Sequence, residues 1–197
     1  MTIKVEIKQD EDPVDPRKDS DHLGRMYCWH SRYDLGDEKP KGYTPEDFLK
    51  EYTDENSLIL PLVLLDHSGI TIKVGREFSC DPGEWEFSCD PGGWDTSKVG
   101  WIVVTNEGIE KEYGKKIPDA REKAREVLRG EVEVYDQYLT GDIYGYVVTK
   151  TTACKHCKEK KEEVINSCWG FYGRDVETNG MLENIDKKYR KALTQAK

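Results

Sequence analysis

The sequence predicts an α+β fold: a single domain with a mainly antiparallel sheet, built with hairpins and packed by two or three helices. Two observations favour this class. Short runs with alternating or continuous apolar residues, bounded by turn residues, are typical of strands, and several follow each other closely enough to form hairpins. Fewer stretches repeat their apolar residues with helical spacing. Strands that outnumber helices and follow one another along the chain indicate α+β architecture.

Alternation is clearest at the start of the chain, where Ile3, Val5 and Ile7 alternate with charged residues and predict a half-buried strand. Two apolar runs, 58–65 and 70–74, are separated by a four-residue polar turn and predict a β-hairpin. Pro61 within the first run predicts an edge strand or a bulge, because proline cannot donate to a ladder. The remaining predicted strands are 26–30, 99–105, 143–149 and 165–172.

Helix signals are strongest at Thr44, which can cap a helix that Pro45 begins and Asp47 completes as a capping box. Further helices are predicted over 107–113 and from Pro118 to Gly141. The spacing of apolar residues near the end of the chain predicts an amphipathic C-terminal helix over 179–195.

Three segments are predicted to lie outside regular structure. Residues 10–21 are dense in acidic side chains and form an acidic loop, since they hold little apolar surface to bury. Residues 150–163 form a charged connection. Residues 77–94 form a duplicated loop, in which the nine residues EFSCDPGEW are followed directly by EFSCDPGGW.

Composition limits the classes of partner. The 197 residues carry 30 basic and 39 acidic side chains, a net charge of -9. Such a surface repels phosphates, so direct nucleic-acid binding is not expected, whereas docking on a basic protein groove is. The residues proposed for partner contact are four carboxylates of the acidic loop and two aromatic residues of the duplicated loop: Asp10, Glu11, Asp12, Asp15, Phe87 and Trp94.

No apolar run approaches the roughly 20 residues of a membrane span, and the first residues become polar too soon for a signal peptide. The expected location is therefore the cytoplasm, with no membrane partner. In a reducing compartment the six cysteines would be free thiols or metal ligands.

A Cys-x-x-Cys pair, Cys154 and Cys157, lies between two predicted strands, a position where two thiolates can share one zinc ion. Cys168 is the proposed third ligand, across the hairpin. A structural zinc needs a fourth ligand, for which the candidates are His156, Cys28 and His30. The alternative is a pair of surface thiols with no cofactor.

The sequence contains no phosphate-binding loop, dinucleotide fingerprint or HExxH helix, which favours a protein without enzymatic activity. If a small ligand is bound, a pocket with convergent polar and basic groups is required. Four residues are the candidates for that pocket: His67, Arg129, Asp136 and Tyr138.

Several motifs resemble those of a family of proteins encoded by phages and other mobile elements. They are YDLGD (33–37), DHSGIT (66–71), FSC (78–80), LRGEVE (128–133), YDQYLTG (135–141) and SCWGFYG (167–173). The chain departs from the pattern by doubling the FSC segment. No catalytic residues can be assigned from this resemblance. It implies a context, because small accessory phage proteins often act against host defences.

Two functions are expected from these features. The first is non-enzymatic binding and inhibition of a host defence protein, such as a CRISPR effector nuclease, through an acidic surface. The alternative is capture or hydrolysis of a nucleotide immune signal.

Overall fold

The computed structural model describes residues 1–19, 21–37, 40–67, 69–75, 96–115, 117–154, 156–157 and 159–196. The predicted α+β class is confirmed, with two antiparallel sheets and helices packed on them. The strands are β1 (Thr2–Gln9), β2 (Arg25–Cys28), β3 (Ser57–Asp66), β4 (Ile70–Val74), β5 (Thr96–Thr105), β6 (Ile143–Ala153) and β7 (Lys160–Tyr172). The helices are α1 (Pro16–Asp19), α2 (Pro45–Glu51), α3 (Asn106–Tyr113), α4 (Ala120–Thr140), α5 (Met181–Asn184) and α6 (Arg190–Thr194). The duplicated loop 77–94 lies outside the described residues.

The chain divides into two compact units. Unit 1 joins the two ends of the sequence, Met1–Val14 and Gly141–Lys197, and unit 2 is the continuous stretch Asp15–Thr140. Each unit holds one sheet and one apolar cluster. The assignment of all 197 residues to one domain stays a prediction.

Unit 2 is built on a sheet of order β2-β5-β3-β4. The predicted hairpin is confirmed, with β3 and β4 paired from Leu62↔Val74 to Asp66↔Ile70. Pro61 is not on an edge, because β3 lies between β5 and β4. The ladder to β5 instead shifts register between Leu62 and Val63, the irregularity that the alternative prediction anticipated next to a proline.

Helix α4 covers one face of this sheet. Its buried residues, Ala124, Leu128, Val132 and Tyr135, recur every three or four positions and form one stripe. They join the apolar cluster of unit 2 with residues of β2, β3, β4 and β5. This stripe is the face that the helix buries, whereas the apolar Val127 of the same helix is 40% exposed.

Unit 1 is built on a sheet of order β1-β6-β7, in which β1 pairs with β6 from Thr2↔Thr151 to Gln9↔Tyr144. The predicted connection 150–163 is too long. Strand β6 continues to Ala153 and β7 begins at Lys160, so most of those charged residues are paired across the hairpin. Their charge reflects the exposure of the hairpin and not a break in the ladder.

The predicted C-terminal helix 179–195 is wrong as a continuous helix. Helix α5 ends at Asn184, because the next residue, Ile185, has extended backbone (φ -69°, ψ 146°), and a 3-10 turn at Lys187–Tyr189 leads into α6. Asn184, Ile185 and Asp186 all have low helix propensity, so interrupting the helix at these residues costs little. Packing favours it, because Ile185 and Leu193 are both buried in the apolar cluster of unit 1.

The prediction that residues 10–21 form a loop without burial is wrong for its second half. Its second half contains α1, and Arg17 of that helix is buried, with 5% of its surface exposed. Asp15 accepts the backbone N–H of Arg17. The small number of apolar residues did not predict this burial, because ion pairs and not apolar contacts stabilise the buried Arg17.

Candidate functional site

Two faces of strand β2 carry different side chains. Met26 and Cys28 point into the apolar cluster of unit 2, whereas Tyr27 and Trp29 alternate with them on the opposite face. The N–H of Trp29 bonds to the carbonyl of Val99 and extends the pairing beyond β2. Large aromatic side chains therefore line a sheet face that α4 does not cover.

Helix α2 packs its buried Phe48 into this face. The Phe48 ring stacks on Trp101 at a centroid distance of 5.0 Å and lies 5.4 Å from the Tyr27 ring. Trp29 meets Trp101 edge to face at 5.7 Å. We call the six rings joined by these contacts the aromatic cluster: Tyr27, Trp29, Tyr43, Phe48, Tyr52 and Trp101.

A surface depression of about 690 Å³ opens beside the aromatic cluster. We call it the aromatic depression. Besides Pro40, its lining holds two cations, two tyrosines and two carboxylates: Arg25, Lys41, Tyr27, Tyr43, Asp34 and Glu51. This volume lies in the range of small-molecule sites, but four of the seven lining residues are charged, more than is usual for such sites.

The tyrosines of the depression are held in place. The backbone carbonyl of Tyr43 accepts the Trp29 indole N–H at 2.8 Å, and the Tyr43 hydroxyl donates to Glu51 at 2.6 Å. The pKa of Tyr43 is raised mainly by desolvation and further by this bond to Glu51. The Arg25 guanidinium carbon lies 5.6 Å from the centroid of the Tyr27 ring, within cation–π range. The depression thus presents fixed rings, a neutral Tyr43 hydroxyl and charges of both signs together.

This arrangement suits binding better than bond cleavage. A planar ligand can stack on a tyrosine face, an anionic group can bind Arg25 and Lys41, and the carboxylates can accept hydrogen bonds from hydroxyl or amino groups. A phenol with a raised pKa donates a hydrogen bond and is a poor base at neutral pH.

A buried ion network adjoins the depression within unit 2. The Arg17 guanidinium donates twice to Asp37, at 2.7 and 2.6 Å, and once to Glu131 at 3.0 Å. Its fourth bond is to the carbonyl of Gly24. Burial opposes the charge of Arg17, but the bonds to Asp37 and Glu131 outweigh that effect, so its pKa is raised. The carboxylates also accept backbone N–H groups of residues 23, 24 and 26, which fixes the start of β2 and hence Arg25.

The four residues predicted for a ligand pocket line neither this depression nor the neighbouring one of about 520 Å³ around Arg17. Asp136 accepts bonds from Thr71 Oγ1 at 2.6 Å and from the Ile72 N–H at 2.7 Å, and so attaches α4 to β4. Burial raises its pKa despite these bonds. Tyr138 stacks on Tyr135. His67 and Arg129 are exposed in a turn and on α4.

The residues predicted for partner contact divide between the units. Asp10, Glu11 and Asp12 belong to unit 1 and Asp15 to unit 2. Glu11 and Asp12 are exposed, while Asp15 is engaged with the backbone of Arg17. Phe87 and Trp94 lie outside the described residues.

The proposed metal ligands do not all meet. Cys154 and Cys157 are exposed at the end of the β6–β7 hairpin, but Cys168 pairs with Tyr146, eight positions along β7 from Lys160. At about 3.3 Å per residue, this places Cys168 on the order of 25 Å from the tip. Cys168 is therefore wrong as a third ligand to an ion held by Cys154 and Cys157 of the same hairpin. Among the residues that the structure describes, no three His, Cys, Asp or Glu side chains are grouped to hold a metal.

The three candidates for the fourth ligand have different environments. Cys28 is 2% exposed, and desolvation raises the pKa of its thiol to about 12. His30 Nδ1 accepts the backbone N–H groups of Arg32 and Tyr33. His156 lies in the turn of the Cys-x-x-Cys pair itself.

Sequence reasoning missed the residues of the aromatic depression. Tyr27 and Trp29 gave a detectable signal, since they alternate with buried residues in an aromatic-rich strand. Lys41, Tyr43 and Glu51 come from a loop and a helix whose position against β2 is a tertiary feature.

The negative net charge of the chain is concentrated in unit 2. Unit 2 carries 17 basic against 27 acidic side chains, a net charge of -10, whereas unit 1 carries 13 basic against 12 acidic, a net charge of +1. The acidity seen in the whole sequence is thus a property of one unit.

No family model, curated protein or solved structure matches the chain. Within its described part, no helix has both the length and the apolar content needed to cross a membrane.

Proposed function

We propose that the protein is a non-enzymatic accessory protein of the phage-encoded kind that binds and inhibits a host defence protein. The partner is a nucleic-acid-binding effector, such as a CRISPR effector nuclease. Contact is made by the acidic surface of unit 2, which occupies a basic groove that otherwise holds nucleic acid. The single observation that carries this proposal is the net charge of -10 confined to unit 2.

The structure brings acidic residues from distant parts of unit 2 together. The N–H of Asn106, at the start of α3, bonds to the carbonyl of Asn56 at 2.9 Å, and its side-chain amide bonds to the carbonyl of Glu55 at 2.8 Å. The chain after α2 therefore lies against the first turn of α3. We call the exposed carboxylates next to the residues of this junction the acidic surface: Asp54, Glu55 and Glu107.

Carboxylates gathered in this way present a negative potential to an approaching partner. Such a potential accelerates association with a basic groove and discriminates against acidic partners. It repels nucleic acid for the same reason. Charge complementarity of this type weakens as salt increases, because exposed charges are screened beyond about 10 Å at 0.1 M salt.

The test is capture of partners from cells that carry defence systems, with two matched charge-reversal variants. The first, Asp54→Lys, Glu55→Lys and Glu107→Lys, alters the acidic surface. The control, Glu122→Lys, Glu126→Lys and Glu133→Lys, makes the same charge change at exposed positions of α4. We expect wild type and control to recover a nuclease in a salt-sensitive manner and to protect an infecting phage. The first variant should lose both effects.

Recovery of no nuclease, together with unchanged phage survival, would contradict the proposal. Equal loss in both variants would show that total charge matters and that the acidic surface does not.

A second function is favoured by the aromatic depression. Tyrosine faces next to Arg25 and Lys41 match a nucleotide, whose base can stack while its phosphates bind the cations. This corresponds to a protein that captures or hydrolyses a nucleotide immune signal.

Incubation with cyclic nucleotides, followed by chromatography before and after heat denaturation, separates the two modes. Capture returns the intact nucleotide on denaturation, and hydrolysis does not. The double variant Arg25→Ala/Lys41→Ala should weaken binding at least tenfold. Lys123→Ala/Arg129→Ala, which removes two positive charges from exposed α4 positions, should not. Wild-type protein that retains no nucleotide and releases no product would exclude this function.

A further inference from the structure

A second depression, of about 520 Å³, adjoins the aromatic depression, since Arg25 lines both. Its other lining residues include Arg17, Lys18, His22 and Asp37. We call it the basic depression, because its lining holds three cations and one carboxylate. This local excess of positive charge is opposite in sign to unit 2 as a whole, which carries a net charge of -10.

The carboxylate of the basic depression is paired within the protein. Asp37 accepts bonds at 2.7 and 2.6 Å from Arg17, whose side chain is fully buried. The cations that reach solvent are Arg25 and Lys18, and the Lys18 side chain is 67% exposed. Lys18 pairs with Asp15 at 3.4 Å, but water screens a pair with an exposed lysine, so a phosphate can compete for its ammonium group.

His22 is a further group that can bind an anion in this depression. Its Nε2 donates to the carbonyl of Pro16 at 2.7 Å, so this nitrogen carries a proton. Protonation of the ring adds a second donor at Nδ1 without loss of that bond. A nearby phosphate favours the protonated ring, because opposite charges stabilise each other.

The two depressions suit different parts of a nucleotide. Two tyrosines line the aromatic depression, whereas the described residues that line the basic depression include no phenylalanine, tyrosine or tryptophan. A base therefore has rings to stack on in the first depression only. Asp34 and Glu51 line the aromatic depression and oppose the accumulation of phosphates there. A phosphate beyond the first is better placed among the cations of the basic depression.

We propose that the nucleotide bound in the aromatic depression carries at least two phosphate groups, and that one of them lies in the basic depression. The first phosphate binds Lys41 and Arg25. The next lies on the other side of Arg25, where it binds Lys18 and His22. The inference rests on the second function proposed above, and it specifies the class of nucleotide that this site selects.

The experiment is isothermal titration calorimetry of the full-length chain with two pairs of adenine nucleotides. Adenosine monophosphate is compared with adenosine triphosphate, and cyclic adenosine monophosphate with the cyclic dinucleotide of the same base. In at least one pair, the ligand with more phosphates should bind about tenfold more tightly, the difference expected for one further charge-assisted bond.

Variants decide whether the basic depression provides this preference. Lys18→Met/His22→Gln should abolish the preference and leave the affinity for the single-phosphate nucleotide unchanged. Glutamine at position 22 can still donate to the Pro16 carbonyl, and Lys18 is exposed, so the fold should be kept, which circular dichroism checks. Lys123→Met removes the same charge from an exposed position of α4 and should retain the preference. Lys18→Met alone should reduce the preference in part.

Two results would overturn this inference and leave nucleotide capture standing. One is equal affinity for the two members of each pair that binds. The other is a preference that persists in folded Lys18→Met/His22→Gln, which would place the additional phosphate, or the second base of the cyclic dinucleotide, elsewhere. Binding of none of the four nucleotides, and of no other nucleotide in the capture experiment above, would exclude the second proposed function itself and this inference with it.

Discussion

The two units differ in whether they bury polar side chains. Two polar residues of the described chain are buried, Arg17 and Ser57, and both belong to unit 2. Unit 2 also carries the net negative charge, the aromatic cluster and the larger apolar cluster. Unit 1 has five buried residues in its apolar cluster and a long hairpin strand, β7, that is exposed along most of its length. Unit 2 therefore buries a charged side chain that needs partners, whereas unit 1 has a close packing of β6 against β7 at Gly145.

The largest effect is expected from Arg17→Met in unit 2. This change leaves Asp37 and Glu131, whose side chains are 18% and 11% exposed, without their counter-ion. Loss of one partner of a buried ion pair is strongly destabilising, and we expect the free energy of unfolding to fall by about 3 kcal/mol. Urea denaturation followed by tryptophan fluorescence measures it.

Lys18→Met is the matched control, because Lys18 is the next residue and its side chain is 67% exposed. Its effect should stay within about 0.5 kcal/mol. Equal effects of the two changes would show that the buried network contributes nothing special to unit 2.

The next effect concerns a glycine in unit 1. A Cβ on Gly145 would meet the ring of Trp169 and lie 2.6 Å from the carbonyl oxygen of Cys168, at a register shift between β6 and β7. Gly145→Ala should therefore cost about 1–3 kcal/mol and displace Trp169, the sole tryptophan of unit 1. Denaturation and near-ultraviolet circular dichroism report both effects.

Gly130 of unit 2 sharpens the contrast. A Cβ there meets nothing within 4 Å, and the residue lies inside α4. Gly130→Ala should stabilise by about 0.5–1 kcal/mol, since alanine is the better helix former. A stabilising Gly145→Ala would refute the close packing described for unit 1.

A smaller effect is expected at the cap of α2. Thr44 accepts the N–H of Asp47, and Asp47 accepts the N–H of Thr44, as the sequence predicted. Thr44→Ala should cost about 1 kcal/mol and loosen Phe48 within the aromatic cluster. Thr44→Ser keeps the hydroxyl and should behave as wild type in denaturation. A Thr44→Ser variant as unstable as Thr44→Ala would assign the loss to the methyl group and not to the cap.

The smallest effect is a dependence on pH at Asp136. Burial raises the pKa of this carboxyl in the folded state, so the folded protein binds its proton more tightly than the unfolded chain does. Its contribution to stability therefore grows as pH falls through the folded pKa and levels off below the unfolded value of about 3.9. Asp136→Asn removes this titration.

Urea denaturation of wild type and Asp136→Asn at several pH values between 7 and 4 tests the sign. The difference in unfolding free energy should shift in favour of wild type as pH falls. A shift in the opposite direction would mean that the bonds from Thr71 and Ile72 outweigh burial.

Elements with a complete local signal were predictable from the sequence. The cap at Thr44, the hairpin of β3 and β4 and the helix α4 each depend on residues a few positions apart, and all three are present in the structure. Backbone conformation responds to neighbours within about one helical turn or one hairpin, so the sequence carries this information directly. The candidate site was harder to predict, because none of its seven lining residues was among those predicted to bind a ligand or partner.

Tertiary structure decided the rest, because burial and pairing depend on which distant segments meet. Alternation marked Ile3, Val5 and Ile7 as a strand, but its partner β6 lies more than 130 residues away, beyond the whole of unit 2. The burial of Arg17 required Glu131, and the aromatic depression required a loop and a helix to lie against β2. Such contacts form only when the collapsed chain satisfies its buried polar groups, and short-range sequence patterns do not contain that condition.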